Sequence, residues 1–163
     1  MTPYRLEIEV AARAHDLDPD LIEAMVHVES RGRFDAYRYE PGFWRRYLQD
    51  HPRYKGLKPE EVSASYGLMQ IMYSTAVDQG YQGTPWGLFD PRESLYWGSA
   101  YLAKQIQWAR RMGPNAPSEV QIASALAAYN GGRTGNLPDD EPDRNAAYAH
   151  DVLAEYSSIK GSN

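Results

Sequence analysis

"IEAMVHVESRG", residues 22–32, decides how the chain begins to fold and raises a question about one acid. On a helix, positions three, four and seven apart share a face. Ile22, Met25 and Val26 stand seven, four and three residues before Glu29, which puts that carboxylate on the apolar stripe. A carboxylate there is costly to ionise, so its pKa is expected to rise above the ~4.3 of free glutamate. A raised pKa is what a general acid needs near neutral pH. A bland reading stays open beside this one. The helix stops near Gly32, and a glutamate on its last turn can lean into water.

Working outward, helix signals dominate. Thr2-Pro3 reads as a cap followed by proline, with Leu6, Val10 and Ala14 at helical spacing. Asp18-Pro19 starts the helix that carries Glu29. Asp90 caps a long helix, with Glu93 completing a capping box and Gly113 closing it. Ser118 with Gln121 opens an alanine-rich helix that ends on Gly131-Gly132. "DRNAAYAHDVLAEYSSI" reads as a closing helix, and "NLPDDEPD" before it as an acidic loop broken by prolines. Between about 31 and 65 the pattern breaks into Gly, Pro and aromatic residues, which suit short strands or short helices equally. The expected architecture is mainly α, a single domain over 1–163, with an irregular and partly β insertion after the second helix.

Composition narrows the function. The chain has 163 residues, a net charge of −5 and no cysteine, which excludes disulfides and Cys-zinc sites. The charge disfavours nucleic acid as a partner. No apolar run approaches the ~18–20 residues of a membrane span. His15, His27, His51 and His150 are scattered, and no H-E-x-x-H, G-x-S-x-G or phosphate-binding loop occurs, so neither metal nor cofactor is expected. The 13 tyrosines are either amphipathic filler at the core edge or platforms for sugars and bases.

Three further stretches join Glu29 in order: "VES" at 28–30, "YGLMQIM" at 66–72 and "AAYNGG" at 127–132. With "YAHDV" at 148–152, the set resembles the soluble lytic transglycosylases, relatives of goose-type lysozyme with a lysozyme-like helical fold. The resemblance covers roughly residues 20–155 and implies that Glu29 is the catalytic acid and base. It implies that Gln70 and Met72 line a sugar groove, and that Tyr129 and Asn130 hold substrate or orient the glutamate. It implies a Tyr148 hydroxyl near the carboxylate. Leu68 reads as plain core, Met72 as core or groove, and Asn130 as a helix cap or a substrate contact. Gly67 is expected to allow close approach of backbone. The implied substrate is the peptidoglycan glycan strand, cut between N-acetylmuramic acid and N-acetylglucosamine to leave a 1,6-anhydro sugar. The expected protein is a monomer.

The chain also departs from that pattern. Thirty-seven residues separate Glu29 from Gly67, more than the family usually has, so the segment around 31–65 is an insertion. Within it, Glu40 is an ordinary loop acid, a substrate contact, or the second carboxylate of a hydrolysing muramidase; Asp35 is a weaker candidate for that last role. Tyr37, Tyr39, Phe43, Trp44 and Tyr47 suit a sugar-stacking wall or a small satellite core. Tyr66 replaces the usual small residue, and Ser63 or Ser65 stands in for a family serine nearer the glutamate. The opening "MTPYRLEIEV" does not read as a signal peptide. With a wall substrate, that predicts a chain made in the cytoplasm and delivered by another route, as a phage endolysin or a virion protein is.

Overall fold

The computed structural model describes residues 2–134 and 145–162, so the acidic stretch "NLPDDEPD" lies outside the described residues. Helix α1 spans Arg5–His15 and α2 spans Pro19–Ser30. Strand β1 (Tyr37–Tyr39) follows, then a single turn α3 (Pro41–Phe43) that continues as a π-helical turn, Trp44–Leu48. Next come α4 (Pro59–Val62), β2 (Ala64–Tyr66), β3 (Ile71–Met72), α5 (Tyr73–Gln79) and a 3-10 turn at Pro85–Phe89. Three long helices complete the order: α6 (Pro91–Met112), α7 (Ser118–Gly131) and α8 (Ala146–Gly161). The protein is mainly α, and the insertion supplies most of a small antiparallel sheet ordered β1-β2-β3.

Several helix ends are where their caps place them. Asp18 accepts from the Asp20 amide and Asp90 from the Arg92 amide, each with proline at the first helical position. Other details differ. Glu93 does not reach back to its cap; it accepts from Trp97 Nε1 at 2.8 Å. Ser118 does not cap α7, because Pro117 holds that position and the Gln121 amide donates to the Gly113 carbonyl at the end of α6. Helix α1 starts at Arg5 rather than next to Thr2, and its Leu6–Val10 stripe is exposed, at 70% and 63%. Arg5 decides that rotation. Its guanidinium reaches Asp20 and Glu23 on α2, which turns the face three and seven residues further on, Ile8 and Ala12, into the core.

That core is built from Ile22, Met25 and Val26 of α2, Leu95, Leu102 and Ile106 of α6, Ala125–Ala128 of α7, and Ala149 and Val152 of α8. Each large aliphatic side chain buried there is worth ~1.5–3 kcal/mol. The alanines let α7 lie close to its neighbours α6 and α8. The turn at 67–70 sits against α6: Gly67 has φ +72, and a Cβ there would meet the Leu88 carbonyl and Ser94 Oγ at 2.8 Å, as the close approach read from the sequence requires. Leu68 and Met69 beside it are fully buried.

A second cluster under the sheet holds Tyr66, Ile71, Tyr81 and Leu88, and a third holds Leu48, Tyr54 and Val62. Among the described residues, no helix is long and apolar enough to cross a membrane.

Candidate active site

Glu29 sits on the last turn of α2, where the chain breaks helix at Arg31 and Gly32, both with positive φ. The carboxyl group faces two neighbourhoods. Tyr148 Oη donates to Oε1 at 2.6 Å from behind, out of the first turn of α8. In front, Glu29 lines a cleft of about 1060 Å³. Burial pushes the Glu29 pKa up to about 7, against the opposing pulls of the Tyr148 hydrogen bond and the charge of Arg38. The Tyr148 phenol is itself held well above its usual value, by burial first and by the adjacent glutamate second, so it stays a donor.

The helix end is pinned by its next residue. Ser30 Oγ donates to the Leu68 carbonyl at 2.8 Å and lies 3.0 Å from the Val26 carbonyl. The glutamate and the 67–70 turn are therefore joined directly. Sequence reading quoted Ser30 as part of a motif but gave it no task.

The small sheet forms one wall of the cleft. Register pairs Arg38 with Ser65 and Ser65 with Met72, so these three form a row across the strands, and all three line the cleft. Met72 and Ser65 were expected at the site, and the structure brings both there. Arg38 was missed. The signal for it was weak: it alternates with Tyr37 and Tyr39 and stands two residues from Glu40, which is strand spacing.

Gln70 lines the cleft from a left-handed conformation, φ 46, and its amide is taken up within the wall. Nε2 donates to the carbonyls of Ala36 and Gly67, each at 3.0 Å, tying β1's approach to the turn. Tyr129 also lines the cleft, yet its hydroxyl donates to the Met69 carbonyl at 2.8 Å and so makes no hydrogen bond to Glu29. Its ring packs on Tyr101, a cleft residue that no motif announced. Asn130 reaches the cleft but is not a C-cap; Gly132 holds that place, and the Asn130 amide donates to Asn145 Oδ1 just before α8. Ser63 turns away from the task expected of it and donates to the Glu40 carbonyl at 2.8 Å.

The two candidate second carboxylates separate. Glu40 lines the cleft, with its carboxylate bound to Arg38 Nε at 2.6 Å. Asp35 is exposed, pairs with Arg33 and is not part of the cleft lining, so the expectation that it assists catalysis does not fit its position. The aromatic segment divides in the same way. Phe43 and Trp44 pack on the third cluster, whereas Tyr47 is 56% exposed and lines the cleft beside Phe43. Tyr37 and Tyr39 are exposed on β1 and do not line it.

This arrangement can hold an extended polar chain and deliver a proton to it from a half-sheltered carboxyl group. Among the described residues no group of three or more His, Cys, Asp or Glu side chains is placed to hold a metal ion. A family model described as "Transglycosylase SLT domain" matches residues 7–156. The chain is 29% identical to a protein named "Lysozyme g" from Epinephelus coioides, an alignment covering 99% of this chain and 78% of that protein. It is 28% identical to a "Lysozyme g" from Takifugu rubripes, covering 99% of this chain and 76% of the other.

Proposed function

The chain belongs to the transglycosylase SLT domain family, and from that premise we propose that it is a peptidoglycan lytic transglycosylase in which Glu29 serves as both acid and base. Membership and the near full-length likeness to the lysozyme g proteins support a lysozyme-like, glycan-cleaving enzyme with peptidoglycan as its substrate.

The observation that carries the finer reading is that, among the described acids lining the cleft, Glu29 alone has no ion-pair partner. Burial raises its pKa to about 7, which suits a group that gives a proton and takes one back near neutral pH. The protonated acid donates to the oxygen linking C1 of N-acetylmuramic acid to C4 of N-acetylglucosamine, and the C1–O bond breaks. The acetamido oxygen of the muramic acid ring closes on C1 and holds the positive charge. Glu29, now ionised, takes the proton of the C6 hydroxyl as O6 attacks C1 and displaces the acetamido oxygen. The product is a 1,6-anhydro sugar; no water is consumed and the acid ends protonated. Tyr148 supports this cycle by donating to the carboxylate in its ionised phase.

A two-carboxylate hydrolase needs a second free carboxylate on the opposite face of the sugar. The cleft's other acids are engaged: Glu40 with Arg38, and Asp78 with Arg53 at 3.4 Å. One reading rivals ours, a hydrolysing muramidase in which Glu40 activates water. The names of the two relatives and the place of Glu40 on the cleft favour it.

Mass spectrometry of muropeptides released from purified peptidoglycan separates the two. We expect 1,6-anhydro-N-acetylmuramic ends, and we expect Glu40→Gln to keep most of the activity while Glu29→Gln abolishes it. Reducing ends, together with loss of cleavage in Glu40→Gln, would replace transglycosylation with hydrolysis.

A further inference from the structure

The small sheet has an open side. Its order is β1-β2-β3, so β1 is an edge, and all of β1 is exposed. The ladder to β2 fixes which backbone groups face outward. The Gly67 amide donates to the Ala36 carbonyl and the Glu40 amide to the Ser63 carbonyl, both at 2.8 Å, in a register that sets Arg38 opposite Ser65. Hydrogen-bonded pairs alternate along an antiparallel ladder, so residues 36, 38 and 40 turn their backbone groups to β2. Tyr37 and Tyr39 turn theirs the other way, and among the described residues no strand pairs with them. The expectation of a monomer takes no account of this edge, which exists only once the sheet has formed. An unpaired row of this kind is a template for another strand unless proline, lysine or a bulge closes it. Strand β1 contains none of these. Its one charge, Arg38, is already matched by Glu40 at 2.6 Å. The Tyr37 side chain is fixed in advance, with its ring edge-on to Tyr66 and its hydroxyl donating to the Glu60 carbonyl.

The order of residues along the edge selects the partner. Tyr37-Arg38-Tyr39 reads the same in both directions. Antiparallel pairing about a twofold axis at Arg38 sets Tyr37 opposite Tyr39 of the second copy. Those facing tyrosines exchange both hydrogen bonds, so every outward N–H and C=O group of the strand is satisfied in both copies. The two Arg38 side chains then face each other, which alone would be unfavourable. Each gains the Glu40 carboxylate of the second copy on the diagonal, besides its own, and the four charges balance. We propose that β1 pairs in this register with β1 of a second copy, making one continuous sheet across two chains. Facing residues of such a pair share a side of the sheet, and Arg38, Ser65 and Met72 line the cleft from that side. The two clefts therefore open the same way, an arrangement that lets one polymeric ligand engage both.

Sedimentation equilibrium of the full chain over a wide concentration range tests this first. The mass is expected to rise with concentration from 18.5 kDa toward twice that value. Tyr39→Pro removes an outward N–H and leaves the ladder to β2 whole. It is expected to melt near the wild-type temperature and to keep the single-chain mass throughout. The second measurement does not depend on that variant folding. The chain has no cysteine, so an introduced one reports alone. Across the twofold axis the Cα atoms of residue 38 would lie about 4.5 Å apart, within disulfide range. Arg38→Cys is therefore expected to cross-link into dimers under mild oxidation far faster than Leu6→Cys, which is also exposed but lies on α1. A wild-type mass that stays single at every concentration would overturn the proposal and leave the edge to an extended peptide of another protein. Dimers formed equally by wild type and folded Tyr39→Pro would place the contact on a different surface. Equal cross-linking of the two cysteine variants would mean random collision. Mass and cross-linking read the pairing without reference to the reaction, so it stands or falls apart from the assignment of function above.

Discussion

The Tyr148 hydroxyl donates to Glu29 Oε1 at 2.6 Å, linking residues 119 positions apart. The bond favours the ionised glutamate and so holds its pKa below where burial alone would put it. Tyr148→Phe is therefore expected to raise the pKa of Glu29. Activity that needs the protonated acid falls as pH climbs through that pKa, so the alkaline limb of the kcat/KM profile should move upward. The maximal rate should drop by roughly 10- to 100-fold, since the ionised phase loses its donor. A full pH profile of both proteins checks this; an alkaline limb that stays in place would mean that the phenol does not tune the acid.

Glu29 should also cost stability, in a pH-dependent way. Its pKa in the folded protein is raised, to about 7 from an ordinary 4.5. Between those values the folded protein holds more protons than the unfolded chain, so this group's contribution declines as pH rises through the window and the full penalty stands above it. Glu29→Gln is neutral throughout and escapes that penalty. We expect it to be more stable than wild type by about 2 kcal/mol at pH 8 and equal to it at pH 4. Urea unfolding at the two pH values reads the difference; a gain of the same size at both would point to packing rather than to charge.

Ser30 is expected to matter through position rather than chemistry. Ser30→Ala removes the donor to the Leu68 carbonyl, leaving a buried acceptor unpaired. A loss of about 1–2 kcal/mol follows. Because the bond fastens the end of α2 to the turn behind Gln70 and Met72, kcat should fall as well. Recovery of both quantities in Ser30→Thr, measured by thermal melts and turnover, would identify the hydroxyl as the agent. A stable but slow Ser30→Ala protein would assign the residue to catalysis alone.

How legible this was in the sequence depended on distance along the chain. Asp18-Pro19 and Asp90-Pro91 act within a turn, and the helices they start were readable to the residue. The apolar spacing around Glu29 pointed to a sheltered acid with a raised pKa, and in the structure burial raises it to about 7 while one side lines the cleft. The rotation of α1 was hidden, because it is set by Arg5 reaching across to Asp20 and Glu23 rather than by the Leu6–Val10 stripe. The insertion was hidden for a related reason. Strands of three and two residues are too short to show an alternation, and β1 finds its partner only at Ala64–Tyr66. Arg38 became visible as a cleft residue only once that register aligned it with Ser65 and Met72. Tyr148 came from a family resemblance; nothing local to "NAAYAHD" announces a partner on α2.

Helices α2 and α8 run antiparallel and grip each other at both extremities. At one, Lys160 Nζ meets Asp18 and Asp20 at 2.9 and 3.2 Å, and Tyr156 donates to Asp18. At the other stands the bond between Tyr148 and Glu29. A slip of α8 along α2 by a single helical turn, about 5.4 Å, would unfasten both extremities at once. The pair therefore behaves like a latch with one detent. Whatever keeps Lys160 beside Asp18 and Asp20 also keeps the acid in register with its phenol.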